Sequence, residues 1–177
     1  RDSHANHIEI VKAHFRNLAR IFDKEEIANQ KIEALDAKLA QVQAATKDRP
    51  DRLLLLMHNK GAFSAFSKRS RYGFVFDAFG AKIANDSSDS GLHGQPVTSE
   101  FIQSVNPDII LVIDRTAVME RRAVLNVERM ENPLLRETNA WKNNKVFLVD
   151  PEAWYVTAAS ITPLTIIMDE VINAYRK

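Results

Sequence analysis

The chain has 177 residues, 45% of them hydrophobic and 27% charged, the composition of an ordinary globular protein long enough for one sizeable core and short for two. Its 24 Lys and Arg against 23 Asp and Glu leave a formal charge of +1, so the electropositive footprint of a nucleic-acid binder is missing from the chain as a whole, and any such site is local. No run approaches the ~20 uncharged apolar residues of a membrane-spanning helix, and the lack of cysteine removes disulfides, thiolate metal sites, Fe–S clusters and cysteine nucleophiles while leaving the compartment open.

Arg1-Asp2-Ser3-His4 runs straight into a helical pattern with neither an initiator Met nor a signal peptide, as expected of a mature or excised segment. Ile8, Val11, Phe15, Leu18 and Phe22 then step by three and four, and after Asp23-Lys24 so do Ala28, Ile32, Leu35, Leu39 and Val42. This spacing predicts two amphipathic helices. Asp23 is expected to cap the second, Glu25 and Glu26 suit its first turn, and Asp48-Arg49-Pro50 stops it. The period then changes: Arg52–His58, Ile109–Ile113 and Lys145–Val149 are short apolar runs of the kind that form strands buried on both faces. Between and after them, helices are predicted over Ser70–Phe79, Ser99–Val105 with Thr98 or Ser99 as its cap, Thr116–Arg129, Pro133–Asn139 and Pro163–Tyr175. Strands separated by helices, with connections too long for hairpins, predict an α/β fold: a Rossmann-like, mostly parallel sheet covered by helices and preceded by a pair of long helices.

Enzyme fingerprints are scarce. There is no Gly-x-Ser-x-Gly elbow, no phosphate loop, no Gly-x-Gly-x-x-Gly and no His-Glu-x-x-His. His4 and His7 stand three apart and read as solvated, and His14 and His58 receive no role. The polar stretch Asn85–Gln95 holds two of the five glycines and reads as a functional or disordered loop. Four residues follow regular elements or lie in that loop, where α/β sheets place ligands: Arg71 in Lys68-Arg-Ser-Arg-Tyr72, His93 between Gly91 and Gly94, Arg115 directly after Asp114, and Tyr155. Singly, each has an ordinary explanation: an arginine paired with an acid such as Asp114, a solvated histidine, a Trp-Tyr pair in the core. Together they offer two guanidinium forks, an imidazole and a phenol, a site for an anion that also offers a metal two open positions.

The segments Gly61-Ala-Phe-Ser-Ala-Phe66, Ser70-Arg-Tyr-Gly-Phe-Val-Phe-Asp-Ala-Phe-Gly80, His93-Gly-Gln-Pro-Val-Thr-Ser-Glu-Phe-Ile102, Asn106-Pro-Asp-Ile-Ile-Leu-Val-Ile-Asp-Arg115 and Asp150-Pro-Glu-Ala-Trp-Tyr155 resemble the C-terminal lobe of the substrate-binding proteins of iron–siderophore ABC transporters. The nearest branch is the catecholate one, with petrobactin- and enterobactin-type binders. The resemblance implies a lobe-joining helical segment over residues 1–48 and a C-terminal α/β lobe over 49–177, with the first lobe outside this chain. It implies that Arg71 and Arg115 face anionic siderophore oxygens, and that His93 and Tyr155 ligate iron when the siderophore is tetradentate. It further implies a non-enzymatic protein in the periplasm, or lipid-anchored outside the cytoplasmic membrane. That protein would bind Fe(III) as a ferric catecholate siderophore and deliver it to an ABC permease, with no nucleic acid involved. Fe(III) is hard and favours phenolate oxygen, while arginine answers a catecholate both by charge and by stacking. A haem-binding relative on the same scaffold, and an intracellular α/β enzyme or regulatory domain holding a phosphate or carboxylate, are the alternatives. A homodimer is expected of the isolated lobe, because the apolar stripes of residues 8–22 and 28–42 would lack part of their cover.

Overall fold

The computed structural model describes residues 7–85, 94–121, 125–155 and 161–176. In chain order the elements are α1 (His7–Ile21), α2 (Glu25–Thr46), β1 (Arg52–Asn59), β2 (Ala62–Ala65), α3 (Phe74–Asp77), β3 (Lys82–Ile83), β4 (Gln95–Val97), α4 (Ser99–Val105), β5 (Ile109–Asp114), α5 (Arg115–Glu120), α6 (Val127–Met130), α7 (Pro133–Arg136), α8 (Asn139–Lys142), β6 (Val146–Leu148), α9 (Pro151–Tyr155) and α10 (Ile161–Arg176).

The strands form one six-stranded sheet in the order β4-β2-β1-β5-β6, with β3 also paired to β1. β1 runs parallel to β5 from Leu53↔Ile109 to His58↔Asp114, and β5 runs parallel to β6. Leu53 to Leu56 and all of β5 are buried, because helices cover both faces of the sheet. Leu53, Leu55, Ile109, Leu111 and Ile113 pack on one side with α2, α3, α9 and α10. Leu54, Leu56, Ile110 and Val112 pack on the other with Ile102 of α4, Leu135 of α7 and Ala140 of α8. Continuous apolar runs therefore form strands here, where a one-sided sheet would demand alternation.

The mostly parallel α/β architecture agrees with the expectation, but one side of the sheet does not. β2 pairs antiparallel with β1 through the two-residue turn Lys60-Gly61, and β4 pairs antiparallel with β2. Both turn residues have positive φ, +50° and +85°, the backbone that a tight hairpin needs and that Gly61 adopts freely. The connection after β1 is thus a hairpin. Asp23 also differs from expectation. It lies at φ +55°, and Lys24 N bonds the carbonyl of Ala19 at 2.8 Å while Asp23 N bonds that of Arg20. This is the left-handed closure of α1, so Asp23 ends one helix instead of capping the next. Lys12 Nζ then ties α1 to α2 through Asp36 at 2.7 Å.

Three predicted helices are shorter than expected. Within Ser70–Phe79 only Phe74–Asp77 is helical, because Ser70 Oγ bonds the Ser67 carbonyl and accepts from Tyr72 N, holding turns in place of a helix. A side chain on Gly73 would meet the Lys68 carbonyl oxygen at 2.1 Å, so only glycine permits this close approach. The Thr116–Arg129 segment breaks after Glu120 at left-handed Arg121 and resumes at α6 under an Asn126 cap. Pro133–Asn139 divides where Thr138 caps α8. The Thr98 cap of α4 is as expected, its hydroxyl accepting from Phe101 N.

Leu111, fully buried in β5 between the other two long-range parallel partners, is expected to be among the costliest truncations. Leu111→Ala should lower unfolding free energy by about 2–5 kcal/mol in a urea titration.

Candidate functional site

Because β1, β5 and β6 are parallel, their C-terminal ends share one edge of the sheet. Arg115 is the first residue of α5, directly beyond β5, and Tyr155 is the last residue of α9, beyond β6. Arg71 arrives from the turns between β2 and α3. The three converge. Arg71 Nη2 donates to the Tyr155 carbonyl oxygen at 2.8 Å, and the Arg71 and Arg115 guanidinium carbons stand 5.8 and 5.4 Å from the Tyr155 ring centroid. Arg71 also lies 5.0 Å from the Tyr72 ring. His93 lies outside the described residues, as does His4.

Neither arginine is neutralised by a described acid. Asp114, the neighbour expected to pair with Arg115, instead meets His58 Nδ1 at 3.0 Å with both side chains buried. His58 Nε2 accepts from Gly61 N at 2.9 Å, which leaves Nδ1 as the protonated nitrogen and makes it the donor to Asp114. Arg115 Nε is buried and has no hydrogen-bond partner among the described residues. A buried guanidinium donor without a partner is costly in a resting protein and suits one that receives an acceptor from a ligand. With the exposed fork of Arg71 on the same aromatic ring, Arg115 forms a cationic locus in a chain of net charge +1.

The short helix that carries the Tyr155 ring is tied to its neighbours by several hydrogen bonds. Tyr72, fully buried, donates its hydroxyl to the Trp154 carbonyl at 2.8 Å. Asp150 Oδ1 accepts from Glu152 N and Ala153 N at the start of α9. Glu170 of α10 accepts from Trp154 Nε1 at 2.9 Å and from Asp150 N at 2.8 Å. Burial pushes the Glu170 carboxyl above its ordinary range, against the Trp154 and Asp150 hydrogen bonds, which favour the charged form. These supporting residues were not singled out in the sequence. Tyr72 and Trp154 adjoin Arg71 and Tyr155 and carry that signal, and His58 becomes legible once the β1/β5 register pairs it with Asp114. Glu170 has no local signal, because its partners come to it through the packing of α9 on α10. Among the described residues no group of three or more His, Asp or Glu clusters to hold a metal, and His7 stacks on Phe74 at 4.7 Å.

The cationic locus lies at the carboxyl edge of the sheet, where α/β sheets of this kind place their ligands. Residues 3–153 match the periplasmic binding protein family, and the chain belongs to it. The ferric-anguibactin-binding protein FatB of Vibrio anguillarum is 51% identical over 176 residues, covering 99% of this chain and 55% of FatB. The petrobactin-binding protein YclQ of Bacillus subtilis is 33% identical over 174 residues, 98% of this chain and 54% of its own. Among solved structures, the siderophore-binding protein BauB, bound to a complex between two molecules of acinetobactin and ferric iron, matches with a TM-score of 0.90 and 52% identity over 98% of this chain and 60% of its own. The chain spans about half the length of the curated relatives it matches. No described helix is long and apolar enough to cross a membrane.

Tyr72 supplies a pH-dependent expectation. Burial raises its phenol to about 12 from an unfolded value near 10. The folded state then keeps a proton that the unfolded state releases, so stability is complete below pH ~10 and falls by about 2–3 kcal/mol as pH rises through 12. Tyr72→Phe should remove that alkaline limb in denaturation curves. At neutral pH it should cost about 1–3 kcal/mol by leaving the Trp154 carbonyl unpaired.

Proposed function

We propose that this chain is the C-terminal α/β lobe (residues 49–177), with its lobe-joining helices (residues 1–48), of a protein that captures a ferric siderophore. That protein works outside the cytoplasmic membrane, in the periplasm or lipid-anchored, and hands its cargo to an ABC permease without covalent chemistry of its own. The observation that carries the reading is the Tyr155 ring flanked by two guanidiniums that no described acid neutralises. Arg71 and Arg115 meet the anionic oxygens of the cargo by charge-assisted hydrogen bonds and by stacking their planar forks on its rings. Tyr155, as phenolate, and His93 complete the coordination of iron when the siderophore leaves two positions open. The similarity to FatB and BauB supports iron-bearing cargo.

The isolated chain is also proposed to self-associate. Leu18, Ile21, Phe22 and Ile27 lie exposed around the junction of α1 and α2, Ile21 and Phe22 at 74% and 69%, and a second copy would cover them. Light scattering at rising concentration should report a dimer, and a persistent monomer would remove this part of the reading.

The site is tested in the full-length protein with two ferric complexes, a bis-complex of 2,3-dihydroxybenzoate, which leaves two iron positions open, and a hexadentate tris-catecholate. Tyr155→Phe should weaken the hexadentate complex by no more than a hydrogen bond's net worth, ~0.5–1.5 kcal/mol, and the open complex by clearly more. Arg115→Ala should weaken both alike, because charge and stacking do not depend on denticity. Equal losses on Tyr155→Phe would remove Tyr155 as an iron ligand. Failure of the wild-type protein to bind either complex would overturn the whole reading.

A further inference from the structure

We propose that Glu170 is the positioning residue for Tyr155, so that a carboxylate outside the arginine pair sets the geometry of the binding site. The inference rests on the siderophore-binding reading above. It starts from how little holds α9 by itself. The five described residues of α9 make barely more than one helical turn, and a turn that short is not stable without outside support. Its first turn is capped internally by Asp150 Oδ1, which closes the turn without fixing where the turn points. Direction must come from elsewhere.

Glu170 supplies it at both ends of the short helix. Its Oε2 accepts from the backbone of Asp150, where the chain enters α9, and its Oε1 accepts from the indole of Trp154, one residue before Tyr155. Two bonds from one rigid carboxylate set the roll as well as the position of α9 on α10. The hydroxyl of Tyr72 on the Trp154 carbonyl and Arg71 on the Tyr155 carbonyl also hold this end. Glu170 is partly buried, with Asp150 and Asp169 as acidic neighbours, a setting in which a neutral or apolar residue would cost less desolvation. The carboxylate suits this place because both donors facing it are N–H groups and only two acceptor oxygens answer both. Glutamine offers one acceptor, and its amide donor would oppose an N–H. Arg115 and Arg71 flank the ring at 5.4 and 5.8 Å, so a small roll of α9 moves the phenol relative to both guanidiniums and to anything they hold.

A purely structural role predicts lost stability with no special link to Tyr155, and a double-mutant cycle separates the two. Glu170→Gln, Tyr155→Phe and the double variant are compared in the full-length protein by thermal melting, by titration with ferric bis(2,3-dihydroxybenzoate), and by the visible charge-transfer band of the bound complex. Glu170→Gln is expected to weaken binding about tenfold and to change the band when Tyr155 is present. In the Tyr155→Phe background it should weaken binding less than about twofold, since coupling of this size is typical of residues in one hydrogen-bond network. Trp154→Phe, which removes one donor to Glu170, should show the same dependence on Tyr155 and serves if Glu170→Gln folds poorly. Equal losses in both backgrounds, or none in either, overturn the positioning role while leaving the siderophore reading intact. A wild-type protein that fails to bind the probe overturns that reading and this inference with it.

Discussion

The structure depends on β1 and β5 lying side by side, parallel and buried on both faces. Their apolar side chains feed two cores at once, so slipping either strand by one residue would turn every side chain to the opposite core and unpair both layers. That constraint fixes the register, and the register places His58 beside Asp114. With Asp114 engaged by His58, the arginine that follows it begins α5 without an acidic partner. The electrostatics of the site are thus a by-product of strand register at the residue just before Arg115.

The family setting gives this arrangement its meaning. In the proposed reading, the arginine pair supplies attraction that is broad and reversible, and the Tyr155 phenol adds selectivity for a hard metal. The short helix that carries this phenol is supported by Tyr72 and Glu170, which both bond Trp154.

The parts of this design legible in the sequence are those in which local pattern and tertiary demand coincide. β1, β5 and β6 announce themselves because burial on both faces requires unbroken apolar runs, and α4 because Thr98 caps it as its sequence suggests. The β1–β2 hairpin is not legible, since Lys60-Gly61 is a weak turn signal and β2 has four residues with mixed exposure. Asp23 misleads because an acid before Glu25 and Glu26 resembles a cap, while the left-handed closure of α1 claims the residue first. In the site, Arg71, Arg115 and Tyr155 can be found from their positions after regular elements. Glu170 cannot: on its helix it reads as an ordinary polar-face carboxylate, and its partners lie 16 and 20 residues away in sequence.

The bond from Arg71 to the Tyr155 carbonyl joins residues 84 positions apart. On a ribosome, the strand pair β1–β5 can form while Tyr155 is still inside the exit tunnel, and the arginines then wait on a half-built edge. The clasp closes only after α9 has emerged, and α9 gains its backing only when α10 follows. The edge that bears Arg71, Arg115 and Tyr155 is therefore completed late in synthesis, well after the central strands can pair.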